Sequence, residues 1–365
     1  MNLFASTKPQ AGRKPRGEEA PDGHMPVRMK DIARDLGVSA VTVSKVLRNH
    51  RDIGSETRER VLRRIKELNY QPNQNARALA TGRTYLVGLV VPDLLHQFFA
   101  QVTKGVSRTL RKQGYGLIMA SSEENPEFEK QEIEEMLARN VDALIIASAQ
   151  KTGRSFSHIT ERGVPYVLVD RKFEGLKANF IGTDDVRAGM LATEHLISQG
   201  CRRIAYIGGD YPSTAADRLA GYRAALLRHG FTVEEKYICR RTHLDDAADS
   251  TGYRAMQALL KLKPRPDGIF CFSDPIAAAA MQAILEQHLR IPEDVAIMGC
   301  GNVLYASALR VPLSSVNQES ETMGERAAKL VLELVDREGK LPPREIRLRP
   351  ELVARASTAA SKVIL

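Results

Sequence analysis

Several charged and aromatic side chains follow apolar runs that have the composition of buried strands. Asp170 comes directly after Tyr166 to Val169, and Asp274 comes shortly after Gly268 to Phe272. In folds of alternating strands and helices, ligands bind in the crevice at the carboxyl ends of the strands. Charged groups bond the hydroxyls of a sugar at fixed angles, while aromatic rings stack on its apolar face. The pattern predicts a site for a small polyhydroxylated ligand, with candidate contacts Phe98, Phe99, Asp170, Arg218 and Asp274.

Each of these candidates also has a structural explanation. Phe98 and Phe99 are typical core residues, and we expect one of the pair to lie in the core. Arg218 could cap a helix or pair with a neighbouring carboxylate, and Asp274 could cap a helix that begins at Pro275.

A second group of residues, close to the N-terminus, could contact nucleic acid. Lys30 to Leu47 contains two short segments with apolar residues at helical spacing, separated by Gly37. Glycine can adopt the turn without a Cβ clash, and Ser39 is placed to cap the second helix. This is a helix-turn-helix pattern, whose second helix can meet base edges and phosphates. The candidate contacts are Ser39, Ala40, Val41, Thr42, Ser44, Lys45 and Asn49. The alternative is an ordinary helical hairpin with a solvated face.

A third helix and a short fourth segment follow. The third helix starts near Ser55 and ends at Asn69 to Pro72, because proline cannot donate in a helix interior. The next residues favour a helix, but Leu79 is their one large apolar side chain. An isolated helix of this length is marginal, so we expect it to form when held on DNA. The segment adds the candidate DNA contacts Asn73, Arg77 and Leu79.

The positive charge of the chain is concentrated at its N-terminal end. Residues 1–83 hold 17 Lys and Arg against 9 Asp and Glu, a net charge of +8, whereas the remaining 282 residues carry about +1. A local excess of this kind is typical of nucleic-acid binding, because neutralising phosphates releases counterions. A basic disordered tail is the alternative explanation.

Composition excludes several other classes of protein. The first residues are rich in Pro, Gly and charge without an apolar stretch, which predicts a disordered extension and not a signal peptide. No run approaches the roughly 20 apolar residues of a membrane span. The four cysteines have neither metal-ligand spacing nor a tight pair, which indicates small core residues of a reduced, cytoplasmic protein without a metal site. Nucleotide-binding loop, HExxH and Gly-x-Ser-x-Gly motifs are absent, so we predict a non-enzyme without catalytic residues or a cofactor.

The remainder of the chain alternates apolar runs with segments of helix length, which predicts an α/β fold with two parallel sheets flanked by helices. The predicted strands are Leu86 to Val91, Gly116 to Ala120, Ala143 to Ala147, Tyr166 to Val169, Ile204 to Ile207, Gly268 to Phe272 and Val295 to Met298. The predicted domains are a basic extension (1–27), a helix-turn-helix head (28–72), a hinge helix and linker (73–83), a first core subdomain (84–184 with 316–341) and a second (185–315 with 342–358).

The run Lys30 to Leu47, followed by Leu-Asn-Tyr-Gln-Pro-Asn and Ala-Arg-Ala-Leu-Ala, resembles the lactose-repressor (LacI/GalR) family of bacterial transcription factors. The resemblance covers nearly the whole chain. It implies two periplasmic-binding-protein-like subdomains joined by three crossovers, and a homodimer that binds a palindromic operator. It also implies that Leu79 is a wedge entering the minor groove, and that Phe98, Asp170, Arg218 and Asp274 stand at effector-contacting positions.

The chain departs from the family pattern at informative positions. Gly301 stands where the family usually has an acidic residue, and Gln97 replaces the usual proline before the Phe pair. Both changes concern the effector site. Ala40 and Val41 are apolar where some relatives have polar residues, which favours contact with thymine methyls. Lys45 is the strongest candidate for a guanine or phosphate contact.

These observations predict a DNA-binding transcriptional regulator, most simply a repressor, whose operator affinity is controlled by a small molecule, a sugar or sugar derivative, bound between two lobes. Its expected partners are double-stranded DNA, this effector and a second copy of the chain, with no membrane. The alternative is a solute-binding sensor with a non-functional head, which the local charge and Leu79 disfavour.

Overall fold

The structure is a computed structural model, and it describes residues 27–47, 50, 52–71, 74–208, 213–240, 249–337 and 342–359. The predicted N-terminal extension lies outside the described residues apart from Val27. The chain divides after Gly82 into two compact units.

The N-terminal unit is helical, with α1 at Met29–Leu36, α2 at Ala40–Leu47, α3 at Ser55–Glu67 and α4 at Gln74–Thr81. Ile32, Val43 and Val61, one from each of the first three helices, are fully buried in a common core. Gly37 ends α1 with a φ of 65°, in the left-handed region that favours glycine. Ser39 Oγ accepts a hydrogen bond from the backbone N–H of Thr42 at 3.0 Å. The predicted helix-turn-helix, its turn and its cap are confirmed.

Two six-stranded sheets define two lobes in the described part of the second unit. The strands of the first lobe are β1 Leu86–Val91, β2 Gly116–Ser121, β3 Ala143–Ile146, β4 Tyr166–Val169, β5 Asn179–Thr183 and β11 Glu345–Leu348. The strands of the second lobe are β6 Ile204–Gly208, β7 Ile238–Arg240, β8 Gly268–Cys271, β9 Ala296–Cys300, β10 Ser314–Asn317 and β12 Glu351–Val353. Their spatial orders are β11-β5-β4-β3-β1-β2 and β12-β10-β9-β8-β6-β7. Neighbours are parallel except β10 and β12, which pair antiparallel.

Helices cover both faces of each sheet, which explains why the predicted strands are continuous apolar runs. The helices of the first lobe are α5 Gln97–Lys112, α6 Pro126–Ala138, α7 Ser157–Glu161 and α12 Ser320–Asp336. The helices of the second lobe are α8 Asp185–Ser198, α9 Ser213–Arg228, α10 Asp249–Leu260 and α11 Asp274–Glu286. Short 3₁₀ helices lie at Gly153–Phe156, Glu235–Tyr237 and Leu304–Ser307. Of the helices in the described ranges, none is long and apolar enough to cross a bilayer.

Three crossovers join the lobes, after β5, after β10 and between β11 and β12. The predicted subdomain boundaries need correction at the last two. β10 extends to Asn317 within the second sheet, whereas residues 316–341 were assigned to the first subdomain. β11 pairs with β5 of the first sheet, whereas residues 342–358 were assigned to the second. The alternation of Glu345, Ile346 and Arg347 is that of a half-exposed edge strand, which the search for continuous apolar runs missed.

Candidate functional site

The two lobes contact each other through residues that follow the carboxyl ends of their strands. The backbone N–H of Lys172, after β4, donates to Ser213 Oγ, after β6, at 3.1 Å. The backbone N–H of Leu304, after β9, donates to Gln97 Oε1, after β1, at 2.9 Å. A cavity of about 350 Å³ lies beside the first contact, lined among others by Ser148, Gln150, Arg171, Lys172, Phe173 and Ser213. We call the space between these strand ends the interlobe cleft.

Asp170 stands in the cleft directly after β4. Its φ of 64° is in the left-handed region, which carboxamide and carboxylate residues adopt more readily than others. The residue is 7% exposed, and burial raises the pKa of its carboxyl, while Arg171 and Arg218 act in the opposite direction. Its nearest ionic partner is Arg171 Nε at 3.9 Å, beyond hydrogen-bonding distance. Among the described residues, none donates a hydrogen bond to this carboxylate.

Arg171 is held from the other side by Glu124. Its Nη1 and Nη2 donate to the two carboxylate oxygens of Glu124 at 2.7 and 2.5 Å, in the fork geometry that guanidinium and carboxylate share. Nη1 also donates to the Ser148 carbonyl at 3.2 Å. Ser148 Oγ donates in turn to the fully buried Glu129 at 2.7 Å. This network fixes the strand ends of the first lobe around Asp170.

Arg218 lies on α9 in the second lobe and is 3% exposed. Its Nε donates to Asp185 Oδ1 at 2.8 Å and its Nη1 to the Phe272 carbonyl at 2.7 Å. The guanidinium carbon lies 4.5 Å from the centroid of the Phe272 ring, within cation–π range. Burial raises the pKa of Asp185 to about 7, and Arg218 opposes that shift. The pairing that sequence analysis gave as the structural alternative for Arg218 is therefore present, whereas Nη2 donates to no described residue.

Asp274 begins α11 and is fully buried. Its Oδ1 accepts from Ser315 Oγ at 2.6 Å, and its Oδ2 accepts from the backbone N–H of Val303 at 2.8 Å. Burial raises the pKa of this carboxyl to about 6, against the effect of these hydrogen bonds. The side chain thus ties down the loop after β9 and does not cap its own helix.

Phe98 and Phe99 both lie in the apolar core of the first lobe, at 3% and 5% exposure. Their ring centroids are 5.1 Å apart in an edge-to-face arrangement, and the His96 ring lies 5.7 Å from that of Phe99. The sequence placed one of the pair in the core, and the structure places both there.

The structure brings Asp170 and Arg218 to the cleft from opposite lobes, near enough for each charge to affect the other's protonation. Sequence reasoning missed Glu124, Asp185 and Phe272, which orient the two arginines. Asp185 could have been found, because it begins α8 shortly after the end of β5. Sequence analysis used this position only to place the boundary between the two core subdomains. The pairing of Glu124 with Arg171 spans 47 residues and carries no local signal.

In the N-terminal unit, the exposed surface of α2 carries the predicted DNA contacts. Val41 is 63% exposed, while Ala40, Thr42, Ser44 and Lys45 are half-buried. Lys45 Nζ forms an ion pair with Asp52 Oδ2 at 2.5 Å. On α4, Leu79 is 91% exposed, and Arg77 is half-buried. Asn49 and Asn73 lie outside the described residues. In the part of the chain that the structure describes, no cluster of three or more potential metal ligands occurs.

A helix-turn-helix head and a two-lobed core with a polar cleft together are the features of a ligand-responsive DNA-binding regulator. Residues 28–73 match the family model of bacterial regulatory proteins of the lacI family, and residues 193–358 match that of the periplasmic binding protein-like domain. The chain is 31% identical over 333 residues to the ribose operon repressor of Escherichia coli (strain K12), covering 90% of this chain and 99% of that one. It is 32% identical over 334 residues to the HTH-type transcriptional repressor PurR of Erwinia tasmaniensis, covering 91% and 96%.

Among solved structures, the chain is similar to the lac repressor dimer bound to operator and the anti-inducer ONPF. The TM-score is 0.79 at 25% sequence identity, over 92% of this chain and 100% of that one. The chain belongs to the LacI family of bacterial regulatory proteins. It is a DNA-binding transcriptional repressor with an effector-binding core, as its sequence predicts.

Proposed function

We propose that the effector is a small polyhydroxylated molecule, a sugar or sugar derivative, bound in the interlobe cleft. The observation that carries this proposal is the carboxylate of Asp170, which is more than nine-tenths buried and accepts no hydrogen bond from the described residues. The oxygens of this carboxylate keep a little exposure, and the hydroxyls of a sugar would supply the donors that the protein does not. The ribose operon repressor among the relatives supports the same class of effector.

The other candidate residues take different parts in this proposal. Arg218 offers Nη2 to the ligand, while Asp185 and the Phe272 carbonyl hold the rest of its guanidinium. Phe98 and Phe99 are assigned to the core of the first lobe and not to ligand contact. Asp274 positions the loop after β9, because both of its oxygens already accept hydrogen bonds.

The test is a thermal-shift screen of the purified protein, read with an external dye because the chain has no tryptophan. The panel contains D-ribose, D-glucose, D-galactose, cellobiose, D-glucuronate, D-ribose 5-phosphate and hypoxanthine. A ligand at about 100 times its dissociation constant adds roughly 2.7 kcal/mol to the state it binds. A sugar response that Asp170→Asn loses and the exposed-site control Glu161→Gln keeps would support the proposal. A response to hypoxanthine alone would contradict the sugar assignment.

Asp170→Asn is a cleaner probe than Arg218→Ala. Removing the guanidinium would leave the carboxylate of Asp185 buried and unpaired, which typically costs about 3–5 kcal/mol. A lost effector response in Arg218→Ala could therefore reflect misfolding. Asp170→Asn removes a charge that has no hydrogen-bonding partner among the described residues.

For the head, we propose that α2 reads the major groove through Ser39, Ala40, Val41, Thr42, Ser44 and Lys45, with Asn49, Asn73 and Arg77 as further contacts. Val41 would meet a thymine methyl, since it is apolar and exposed. Lys45 would exchange Asp52 for a phosphate or a guanine. The fold and burial of α2 support this orientation, because its apolar residues Val43 and Val46 are buried away from the exposed side.

Leu79 is proposed as the wedge that enters the minor groove. A leucine that is 91% exposed on a helix gains nothing in the protein itself, whereas insertion between base steps would bury it. Leu79→Ala should therefore weaken operator binding at least tenfold and reduce DNA bending, as measured by fluorescence anisotropy and by gel mobility of permuted fragments. The sugar response should be unchanged. Normal bending by the variant would contradict the wedge.

We further propose that the chain acts by binding alone, as a homodimer in the cytoplasm. The named relatives are transcriptional regulators, and the similar lac repressor structure is a dimer on its operator. A palindromic operator needs a protein with two-fold symmetry. Sedimentation of the full chain with and without operator DNA tests the assembly.

A further inference from the structure

We propose that Gln97 is a positioning residue that joins the two lobes through the backbone N–H of Leu304, and that this contact sets the operator affinity of the repressor. This contact would couple the core to the head. The proposal rests on the proposed function in one respect, because operator binding is the activity that the contact is expected to change. Gln97 begins α5 in the first lobe, and Leu304 begins a 3₁₀ helix in the second.

The donor of this interlobe contact is held by its own lobe. The backbone N–H groups of Asn302 and Val303 donate to Ser315 Oγ at 2.9 Å and to Asp274 Oδ2 at 2.8 Å. Both acceptors belong to the second lobe. The next N–H, that of Leu304, is directed to Gln97 Oε1 in the first lobe at 2.9 Å. Three successive amides thus have fixed acceptors, and the third acceptor lies across the cleft.

The conformation of this loop depends on residues that tolerate positive φ. Gly301 has a φ of 130° and donates its N–H to the Val316 carbonyl at 2.8 Å. Asn302 follows with a φ of 49°, and its Oδ1 accepts from Arg355 Nη2 at 2.6 Å. A side chain at position 301 would strain the backbone, since only glycine adopts that region freely. The loop is therefore pre-organised, and little entropy is lost when Leu304 meets its acceptor.

The acceptor of this contact is the side-chain amide oxygen of Gln97. Position 97 is the first residue of α5, where a backbone N–H has no partner within the helix. Proline is compatible with that position, but it has no side-chain acceptor. Glutamine supplies an amide oxygen that reaches the other lobe. Leu304 is 76% exposed, so its N–H would be hydrated once the lobes separate. The contact can form and break with lobe movement.

A contact between lobes biases the arrangement in which it forms. A ligand changes operator affinity only through its different affinities for two arrangements, so any contact present in one of them changes the starting equilibrium. One hydrogen bond exchanged with water typically shifts such an equilibrium roughly two- to tenfold. We expect operator affinity without added sugar to change by that factor when the acceptor is removed.

The experiment compares three variants of the full chain. Gln97→Met has a similar length without the acceptor, Gln97→Pro removes the acceptor and keeps the helix start, and Gln97→Glu retains an acceptor oxygen. Hydrogen exchange is followed at single amides by mass spectrometry with electron-transfer fragmentation. In Gln97→Met and Gln97→Pro the Leu304 amide should exchange at least tenfold faster, while the Val303 amide, bonded to Asp274, keeps its protection. The Glu variant should retain protection at both.

Operator affinity is measured on the same proteins by fluorescence anisotropy. The operator affinities of Gln97→Met and Gln97→Pro should differ from that of the wild type in the same direction, by roughly two- to tenfold. Gln97→Glu should keep the wild-type affinity. Unchanged Leu304 exchange in the Met variant would overturn the contact. Faster exchange with unchanged operator affinity would overturn its coupling to DNA. Failure of the wild type to bind any operator would count against the repressor function instead, because the exchange measurement needs no DNA.

Discussion

At the scale of single residues, Asp274 shows how a buried carboxyl can couple stability to pH. The native pKa of this carboxyl is about 6, whereas in an unfolded chain an aspartate has a pKa of about 3.9. Below the lower value both states are protonated and the native state has its full stability. As the pH rises from the lower value to the higher one, the unfolded state ionises while the native carboxyl stays protonated, and stability is lost until both states are ionised above about pH 6.

Asp274→Asn should remove this dependence. Asparagine can accept from the Val303 N–H and donate to Ser315 Oγ, as the protonated acid can. From about pH 4.5 to about pH 7.5 the variant should gain on the order of 1–3 kcal/mol relative to the wild type. Urea unfolding at the two pH values, followed by circular dichroism, measures the difference. An equal difference at both pH values would show that the native pKa of Asp274 is not raised above that of the unfolded chain.

Sequence alone places Asp170 and Asp274 near strand ends, because the apolar runs that precede them are unambiguous. It does not show what each side chain contacts. The roles of Arg218 and Asp274 depend on Asp185 and Ser315, which are 33 and 41 residues away. Such pairings follow from packing of whole elements and leave no local pattern.

At the scale of elements, glycines allow two pairs of helices to pack at backbone contact. An ideal Cβ at Gly189 of α8 would lie 2.1 Å from the Arg218 carbonyl oxygen on α9, and one at Gly221 would lie 2.0 Å from the Val186 carbonyl oxygen. Gly105 and Gly324 have the same relation between α5 and α12, with 2.1 and 2.0 Å to backbone oxygens. The two lobes therefore use the same means of bringing neighbouring helices together, with glycine on both partners.

Gly189→Ala should push α9 away from α8 and move Arg218 with it. Overpacking of this kind typically costs about 1–3 kcal/mol, and here a backbone oxygen has to shift. We expect a lower melting temperature of the core and a weaker response to the sugar that the screen identifies. Gly200→Ala, at a φ of 92° with no atom near its Cβ, is a matched control that strains the backbone without crowding α9. An equal loss of sugar response in both variants would argue against the packing explanation.

The elements themselves were largely predictable, with instructive exceptions. Six of the seven predicted strands are buried on both faces, and their composition shows it, whereas β2 is an edge strand whose residues are exposed or half-buried. β5, β7, β10, β11 and β12 were not predicted as strands, since they are short, polar in part or at sheet edges. The close helix packing was not predictable either, because the sequence does not show why a glycine stands within a helix. The reason becomes visible only when the structure shows which backbone carbonyl of the neighbouring helix faces it.

At the scale of the whole molecule, the distribution of charge separates two functions along one chain. The net charge of +8 lies within residues 1–83, and the remainder is nearly neutral. Binding to DNA should therefore depend strongly on salt, whereas binding in the cleft should not. Proteins that make 6–10 phosphate contacts lose about 10³–10⁵ in affinity between roughly 50 and 200 mM salt.

We expect the dissociation constant for operator DNA to rise at least about a hundredfold over that range of salt, because each head of a dimer contributes its own phosphate contacts. Fluorescence anisotropy with a labelled palindromic duplex measures the slope. The thermal shift produced by the identified sugar serves as the control, and it should change little, since Asp170 and Arg218 are buried from the salt solution. If the DNA affinity were indifferent to salt while the sugar response stayed intact, the chain would be a ligand sensor whose head no longer reads DNA.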